Sequence, residues 1–188
     1  MNVPNNMSLL SFSLNFEGIP QTLASKLYRI RKSMTSIRKA NKLDVSRVWE
    51  IRTQAILKTC VSHYSDNTVI SWANSPMPID FDEILVNLGA IVLEDQECIV
   101  GFGFVDTENG SLESIFVDPS FIGRGYGKKI AHELISIAKE SGLHSLQLSS
   151  SLNAIKFYES LGFIAGEKTF WTHPSGFKLG CAPMTKVI

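Results

Sequence analysis

The stretch from Ser111 to Lys129 constrains the fold more than any other part of this sequence. It begins with a short run, Ser111 to Val117, that has the composition of a half-buried strand and ends at Asp118-Pro119, because proline cannot donate to a sheet. A glycine-rich turn, Gly123 to Gly127, follows, and apolar residues then recur at the spacing of one helix face. A strand, a glycine turn and a helix start in this order predict an anion-binding site, since backbone amides and the helix dipole converge there. The glycines alone would also suit a flexible surface turn.

Two common phosphate-binding loops do not fit this turn. A nucleoside triphosphate loop requires glycine where Ile122 stands, and Ser or Thr where Lys129 stands. A dinucleotide-binding loop matches Gly123 and Gly125 but has Lys128 in place of its third glycine. Individual residues therefore exclude both loop types.

The turn instead resembles the pyrophosphate loop of the GNAT superfamily of N-acetyltransferases. That family carries Gln/Arg-x-x-Gly-x-Gly/Ala after a strand that ends in hydrophobic-Val-x-Pro. Gly125 and Gly127 match the two glycines, Phe116 to Pro119 matches the strand end, and Ile122 departs from the usual Gln or Arg. The segment from Asn153 to Phe163 is similar to the family's closing signature, which ends in Leu-Gly-Phe. Two motifs in the right order are more specific than either one alone.

The resemblance implies a set of residues that bind acetyl-coenzyme A (acetyl-CoA). The glycine turn would hold the pyrophosphate, the end of the strand would offer backbone groups to the pantetheine arm, and Asn153 would orient the cofactor or the substrate amide. A lysine such as Lys128 at a helix start opposes the dipole unless an anion is bound, which also favours a ligand. The implied cofactor-binding residues are Phe116, Val117, Gly123, Arg124, Gly125, Tyr126, Gly127, Lys128 and Asn153.

Tyr158 and Glu113 are the catalytic residues that the resemblance implies. Tyr158 matches the family tyrosine that donates a proton to the departing thiolate, and the alternative is a core aromatic residue next to Phe157. Glu113 alternates with Ile115 and Val117, so we expect its side chain on the same face of the strand. Several family members use a carboxylate base on this face, although Glu113 suits a solvated strand position equally well.

The succession of predicted elements is strand, helix, helix, three antiparallel strands, helix, strand, helix and two strands. The resemblance implies the same order, namely a mixed α/β (α+β) fold with one GNAT-like domain over residues 35–188. Its central sheet is expected to be mixed but mostly antiparallel, with about four flanking helices. Residues 1–34 contain Glu17 as their only acid and are predicted to be an N-terminal extension, partly disordered or a short helix. Locally, Asp44 is predicted to cap a helix that runs to Thr59, and Asp95-Gln96 to form a hairpin turn.

The charge balance and the cysteine pattern limit the classes of binding partner and the cellular compartment that we expect. The 18 Lys and Arg residues equal the 18 Asp and Glu residues, so no net field attracts nucleic acid or an anionic membrane. No apolar run is long enough to cross a bilayer. Cys60, Cys98 and Cys181 are scattered, which predicts reduced thiols in the cytoplasm, and they share no metal-ligand spacing with the histidines. We therefore expect a cytoplasmic monomer or homodimer without a metal.

These observations predict an enzyme that moves the acetyl group of acetyl-CoA to a primary amine of a small molecule, or to a protein amine, by direct transfer in a ternary complex. His63 and Tyr64, at the helix junction that borders the acceptor groove in the family, are weaker candidates for substrate contact. The alternative is a non-catalytic module that senses acyl-CoA or binds a partner, which the departure at Ile122 permits. Tyr158 and Asn153 argue against it, because a pure binding protein needs no thiolate acid.

Overall fold

The computed structural model describes residues 35–188, and its elements follow the predicted order with one added helix and with the predicted strand from Phe163 to Thr172 divided into two. The prediction for residues 1–34 lies outside the described residues. Within the described range, the strands are β1 (Thr35–Lys39), β2 (Ile91–Asp95), β3 (Cys98–Asp106), β4 (Ser111–Val117), β5 (Ser145–Ser151), β6 (Ile164–Ala165), β7 (Thr169–Thr172) and β8 (Lys178–Val187). The helices are α1 (Val45–Thr59), α2 (Asp66–Ala73), α3 (Phe81–Asn87), α4 (Tyr126–Glu140) and α5 (Ile155–Glu159).

The strands form one mixed sheet in the order β1-β2-β3-β4-β5-β8-β6, and β7 also pairs with β8. All pairs in the sheet are antiparallel except β4 with β5. That parallel pair has a single aligned position, Ser111 opposite Gln147, next to a hydrogen bond from the Gln147 amide to the Gly110 carbonyl (2.9 Å). Beyond this point the two strands are unpaired, so the sheet opens between them towards their carboxyl ends.

Helices cover both faces of the sheet. Residues Ile91 and Leu93 of β2 pack with α4 on one face, whereas Val92 between them packs with α1 and α3 on the other. The alternation is that of a strand buried on both sides. Within residues 35–188, no helix is both long enough and apolar enough to cross a membrane.

Two glycines in β3 allow α4 to lie close to the sheet. A Cβ atom added at Gly103 would lie 2.7 Å from the Ser114 carbonyl oxygen and 2.9 Å from the side chains of Ile130 and Leu134. An added Cβ atom at Gly101 would lie 2.8 Å from Ile130. Any larger residue at Gly103 would therefore push the helix away from β3 and move the turn that precedes it.

Two local predictions were wrong. Asp44 occupies the predicted N-cap position of α1, but its side chain does not cap the helix, because its carboxylate accepts hydrogen bonds from Arg38 (2.7 Å) and from the Asn41 amide (2.9 Å). The β2–β3 turn lies at Gln96-Glu97, one residue later than predicted, and both residues have positive φ, 54° and 67°. Two positive φ values suit the right-handed twist of a two-residue hairpin. The pairing of Asp95 with Cys98 therefore decided the position of the turn.

The sequence analysis missed α3 because its seven residues carry too little periodicity to stand out beside the preceding prolines. Phe81 and Leu85 are buried in the core that α1 also covers. Their burial in the tertiary structure accounts for a helix shorter than one that is stable alone.

Candidate cofactor and catalytic site

The glycine turn between β4 and α4 has the backbone geometry of an anion site. Gly123 and Gly125 have φ values of 84° and 80°, in the left-handed region that disfavours side chains. A Cβ atom added at either residue would meet no other atom within 4 Å, so the turn faces open space. A ligand can therefore approach the backbone here without displacing protein atoms.

The first turn of α4 has unused amide donors. Gly125 precedes the helix and has no side chain to cap it, and the first helical bond runs from the Lys129 amide to the Gly125 carbonyl (3.1 Å). Within the described part of the chain, the amides of Tyr126, Gly127 and Lys128 have no hydrogen-bond acceptor. These N–H groups and the positive end of the helix dipole together favour an anion.

Side chains of the turn hold it against β2. The Tyr126 hydroxyl donates to Asp95 (2.7 Å), and this bond is the main reason that the pKa of Tyr126 is raised. The Arg124 guanidinium lies 3.6 Å from the same carboxylate and 4.7 Å above the Phe121 ring. Tyr126 is buried. Its side chain therefore anchors the turn, and only its amide is available to a ligand.

An ion pair connects α1 to the residues just before the glycine turn. Asp118 accepts hydrogen bonds from the Ser120 amide (2.9 Å) and from Arg47 Nη2 (2.5 Å). Arg47 Nε also donates to the Ile99 carbonyl (3.1 Å). The sequence analysis missed Arg47, because nothing in a helix pattern identifies which distant carboxylate an arginine will reach.

The end of β4 presents backbone groups to the gap beside β5. The Asp118 amide donates to the Val100 carbonyl of β3 (2.8 Å), and backbone groups alternate sides along a strand. The N–H and C=O groups of Phe116 therefore face β3, and those of Ile115 and Val117 face the gap. Phe116 instead stacks its ring on a neighbouring aromatic ring of β3. The sequence analysis missed Ile115, which the strand alternation could have revealed.

Glu113 lies at a β-bulge, which interrupts the alternation from which the direction of its side chain was predicted. The pairing of β3 with β4 shifts between Phe104 and Val105, which leaves Glu113 without a cross-strand partner. The shift resets the alternation, so Leu112 packs in the core cluster that also contacts Val117. The Glu113 side chain is exposed.

Tyr158 is a buried tyrosine of α5 whose hydroxyl has no partner in the part of the chain that the structure describes. Only 8% of the residue is exposed, and its ring makes edge contacts with Phe157 and Phe163 at centroid distances of 5.0 and 5.7 Å. The hydroxyl makes no hydrogen bond with the described residues and is not one of their fully buried polar atoms. Burial raises the pKa of Tyr158 well above its usual value. The residue is thus both a core aromatic and a protonated donor.

Asn153 joins the end of β5 to the end of α1. Its Nδ2 atom donates to the Thr59 hydroxyl (3.3 Å), and the Cys60 thiol donates to its Oδ1 atom (3.5 Å). Burial raises the pKa of Cys60, which keeps this thiol protonated. Asn153 therefore fixes the chain at the open end of the β4–β5 gap.

Tyr64, like Asn153, holds the end of β5 in place through hydrogen bonds. Its hydroxyl donates to the Gly180 carbonyl (2.6 Å) and accepts from the Leu152 amide (2.9 Å), so it bridges β8 and the end of β5. His63, the other weak candidate, is exposed and bonded to Ser62 (2.8 Å). Tyr64 is therefore a positioning residue at the edge of the site.

We expect Tyr64→Phe to lower the free energy of unfolding by about 1–3 kcal/mol, because two backbone groups lose their partner. Urea denaturation followed by circular dichroism measures the change. Tyr158→Phe is the matched control, since it removes a hydroxyl that bonds to no described residue and should cost less. Equal unfolding midpoints for the wild type and Tyr64→Phe would contradict the proposed bridge.

The profile of the acetyltransferase (GNAT) family matches residues 57–163, which is more than half of the chain. This chain belongs to the GNAT family. The matched span includes the glycine turn, the start of α4, the β4–β5 gap and Tyr158. The family resemblance predicted from the two motifs is confirmed.

Two curated N-acetyltransferases are similar to different shares of this chain. A glucosamine 6-phosphate N-acetyltransferase of Trypanosoma brucei brucei is 41% identical over 59 residues, which are 31% of this chain and 40% of that protein. The chain thus spans less than half the length of that relative. A [ribosomal protein bS18]-alanine N-acetyltransferase of Haemophilus influenzae is 28% identical over 149 residues, 76% of this chain and 92% of that protein.

Solved structures confirm the predicted mixed, mostly antiparallel fold. A GCN5-related N-acetyltransferase from Rhodopseudomonas palustris superimposes with a TM-score of 0.78 at 22% identity, over 84% of this chain and 98% of that one. A putative acetyltransferase from Salmonella typhimurium, solved with its cofactor acetyl-CoA, gives a TM-score of 0.57 at 24% identity, over 82% and 94% of the two chains.

Proposed function

We propose that this protein transfers the acetyl group of acetyl-CoA directly to a primary amine of a small molecule within a ternary complex. The observation that carries the proposal is the set of three unused amides at the start of α4, which adjoins a sheet that opens between β4 and β5. The relatives named above are N-acetyltransferases whose names specify an amino sugar phosphate and a protein alanine. An amine acceptor is common to both.

The residues present fit the cofactor. The amides of Tyr126, Gly127 and Lys128 would hold the pyrophosphate, and the exposed cationic side chains of Arg124 and Lys128 add positive charge nearby. Ile122 is 57% exposed, so it offers no polar side chain to a phosphate but does not obstruct the amides. The phosphate contacts proposed here depend on the backbone, which a change at residue 122 leaves intact.

The gap in the sheet suits an extended arm with alternating amide groups. The backbone N–H and C=O groups of Ile115 and Val117 face this gap and would bind the pantetheine arm as a neighbouring strand would. This assignment keeps Val117 and gives Ile115 the role that the sequence analysis assigned to Phe116. Asn153 and Tyr64 hold the far side of the gap in place.

Bound acetyl-CoA supplies an acetyl group already activated as a thioester. The chain must then align the amine, accept one of its protons and protonate the leaving sulfur. Tyr158 would donate the proton that the leaving sulfur takes up, because its buried phenol is protonated and its hydroxyl bonds to none of the described residues. Glu113, exposed at the bulge of β4, is the proposed base and would act through water.

Release of free thiol from acetyl-CoA across a panel of amines tests this function. The panel should contain amino acids, amino sugar phosphates, polyamines and a peptide with an N-terminal alanine. We expect acetyl-CoA-dependent release with at least one small amine, and mass spectrometry should show one added acetyl group on it. Tight binding of acetyl-CoA without turnover on any amine would instead support the non-catalytic module.

A further inference from the structure

Arg52 of α1 is a buried cation that forms no ion pair within the described residues. Only 9% of it is exposed, and its guanidinium lies 4.4 Å above the Trp49 ring. One nitrogen, Nη2, donates to the Ser75 hydroxyl (2.9 Å) and the Trp72 carbonyl (3.1 Å). The other, Nη1, is buried and has no hydrogen-bond partner among residues 35–188. A buried charge with an unused donor is costly, and an anion close to Arg52 would offset that cost.

Ser75, the hydrogen-bond partner of Arg52, lines an open cleft of about 500 Å³, a volume suited to a small molecule. Its lining provides hydroxyl, side-chain amide and backbone groups, and none of the described Asp or Glu residues contributes to it. One wall comes from the end of α2 and the residues after it, and the other from the β7–β8 turn. The residues that matter here are Ser71, Asn74 and Ser75 on the first wall, and Ser175, Gly176 and Phe177 on the second.

Ser75 connects Arg52 to the cleft. Its hydroxyl accepts from Arg52 and donates its one proton to the Trp72 carbonyl (2.8 Å). Because Arg52 also donates to that carbonyl, Ser75 can turn its proton towards a ligand without leaving the carbonyl unpaired. An anion in the cleft would then accept from Ser75 while Arg52 stabilises the charge from behind.

The cleft also lies at a useful distance from the reaction site. Arg52 and Thr59 are two turns apart on the same face of α1, a rise of about 10 Å. Thr59 contacts Asn153 at the open end of the β4–β5 gap. Ala55 and Ile56 lie between them on that face and are buried, so a ligand anchored near Arg52 would have to reach the gap outside the packed face of α1.

We propose that this cleft binds a carboxylate or phosphate group of the amine acceptor, with Arg52 and Ser75 as its specificity-determining residues. This inference rests on the proposed acetyl transfer and adds the substrate class, an amine that carries an anion. The lining serines and the absence of an acid from the walls suit that class. The same charge distribution disfavours a polyamine.

Calorimetry on the full chain with matched ligand pairs tests the inference without turnover. Glucosamine 6-phosphate is compared with glucosamine, and L-alanine with L-alaninamide, with inorganic phosphate as the bare anion. We expect the anionic member of one pair to bind about tenfold or more tightly than its neutral partner. The pair that shows the preference distinguishes phosphate from carboxylate.

In Arg52→Gln the preference should fall to about threefold or less, and in Ser75→Ala it should weaken while the cation is kept. Lys58→Gln is the matched control, because it removes an exposed cation from the same helix and should leave the preference unchanged. Ser75→Ala provides the test by itself if Arg52→Gln fails to fold. An undiminished preference in the folded Arg52→Gln or Ser75→Ala variant, or no preference in the wild type, would overturn the inference.

Different experimental results would overturn the proposed acetyl transfer and the proposed anion subsite. Anion-dependent binding that Arg52→Gln abolishes, with no acetyl transfer to any amine, would overturn the proposed function and leave the cleft as an anion site. Equal turnover of anionic and neutral amines in the wild type and Arg52→Gln would retain the acetyltransferase and overturn the anion subsite.

Discussion

Gly125→Asp is expected to reduce the affinity for acetyl-CoA by about 100-fold or more, equivalent to about 2.7 kcal/mol. The new carboxylate would lie beside the unused amides of Tyr126, Gly127 and Lys128, compete for them and repel the pyrophosphate. A Cβ atom at this position meets no neighbour within 4 Å, so the loss would come from charge rather than from a steric clash. Isothermal calorimetry with acetyl-CoA measures it.

Gly142→Asp is the matched control for this experiment. Gly142 follows the other end of α4, has a φ of 84° and also has open space at its Cβ position. Both variants therefore carry a similar backbone strain and the same added charge, but only Gly125→Asp lies at the amides. Unchanged affinity in a folded Gly125→Asp protein would show that the cofactor does not bind at this turn.

Tyr158→Phe is expected to lower the turnover number by about 10²-fold while the affinity for acetyl-CoA changes little. The substitution keeps the ring contacts with Phe157 and Phe163 and removes only the proton that would go to the leaving sulfur. Steady-state kinetics and calorimetry separate the two effects. Thermal unfolding should show little change, because the hydroxyl has no hydrogen-bond partner among the described residues. Normal turnover of the variant would assign Tyr158 to packing alone.

The pH dependence gives a second measure of Tyr158. Burial raises the pKa of its phenol, so the proton is present at every pH below that raised value and is lost only above it. Wild-type turnover should therefore show no decline due to this group up to about pH 10, the usual pKa of tyrosine. An alkaline decline with a midpoint below about 10 that Tyr158→Phe abolishes would contradict the buried, protonated phenol.

The buried charge of Arg52 indicates which amines should be tested first as acceptors. The sequence has equal numbers of acidic and basic residues, so composition gives no indication of the acceptor's charge. The charge becomes informative only locally, where one buried guanidinium has no carboxylate partner among the described residues. Amino acids and amino sugar phosphates are therefore the first amines to examine.

The sequence by itself determined the local framework of the cofactor site. The strand that ends at Asp118-Pro119, the glycines with positive φ and the apolar face of α4 are local features, because each depends on the conformational limits of its own residues or on helix periodicity. The fold class and the family were predictable for the same reason. Two motifs of local character occur in the right order along one chain.

Only the tertiary structure decided which groups face the gap and the cleft. The bulge at Glu113 arises from the pairing of β4 with β3, and it interrupts the alternation from which the direction of that side chain was predicted. Tyr64 reaches Gly180, and Arg47 reaches Asp118, across long separations in sequence. The isolation of Arg52 is likewise a property of all the elements packed around it. Such features depend on how distant segments meet, and no local period or propensity encodes that.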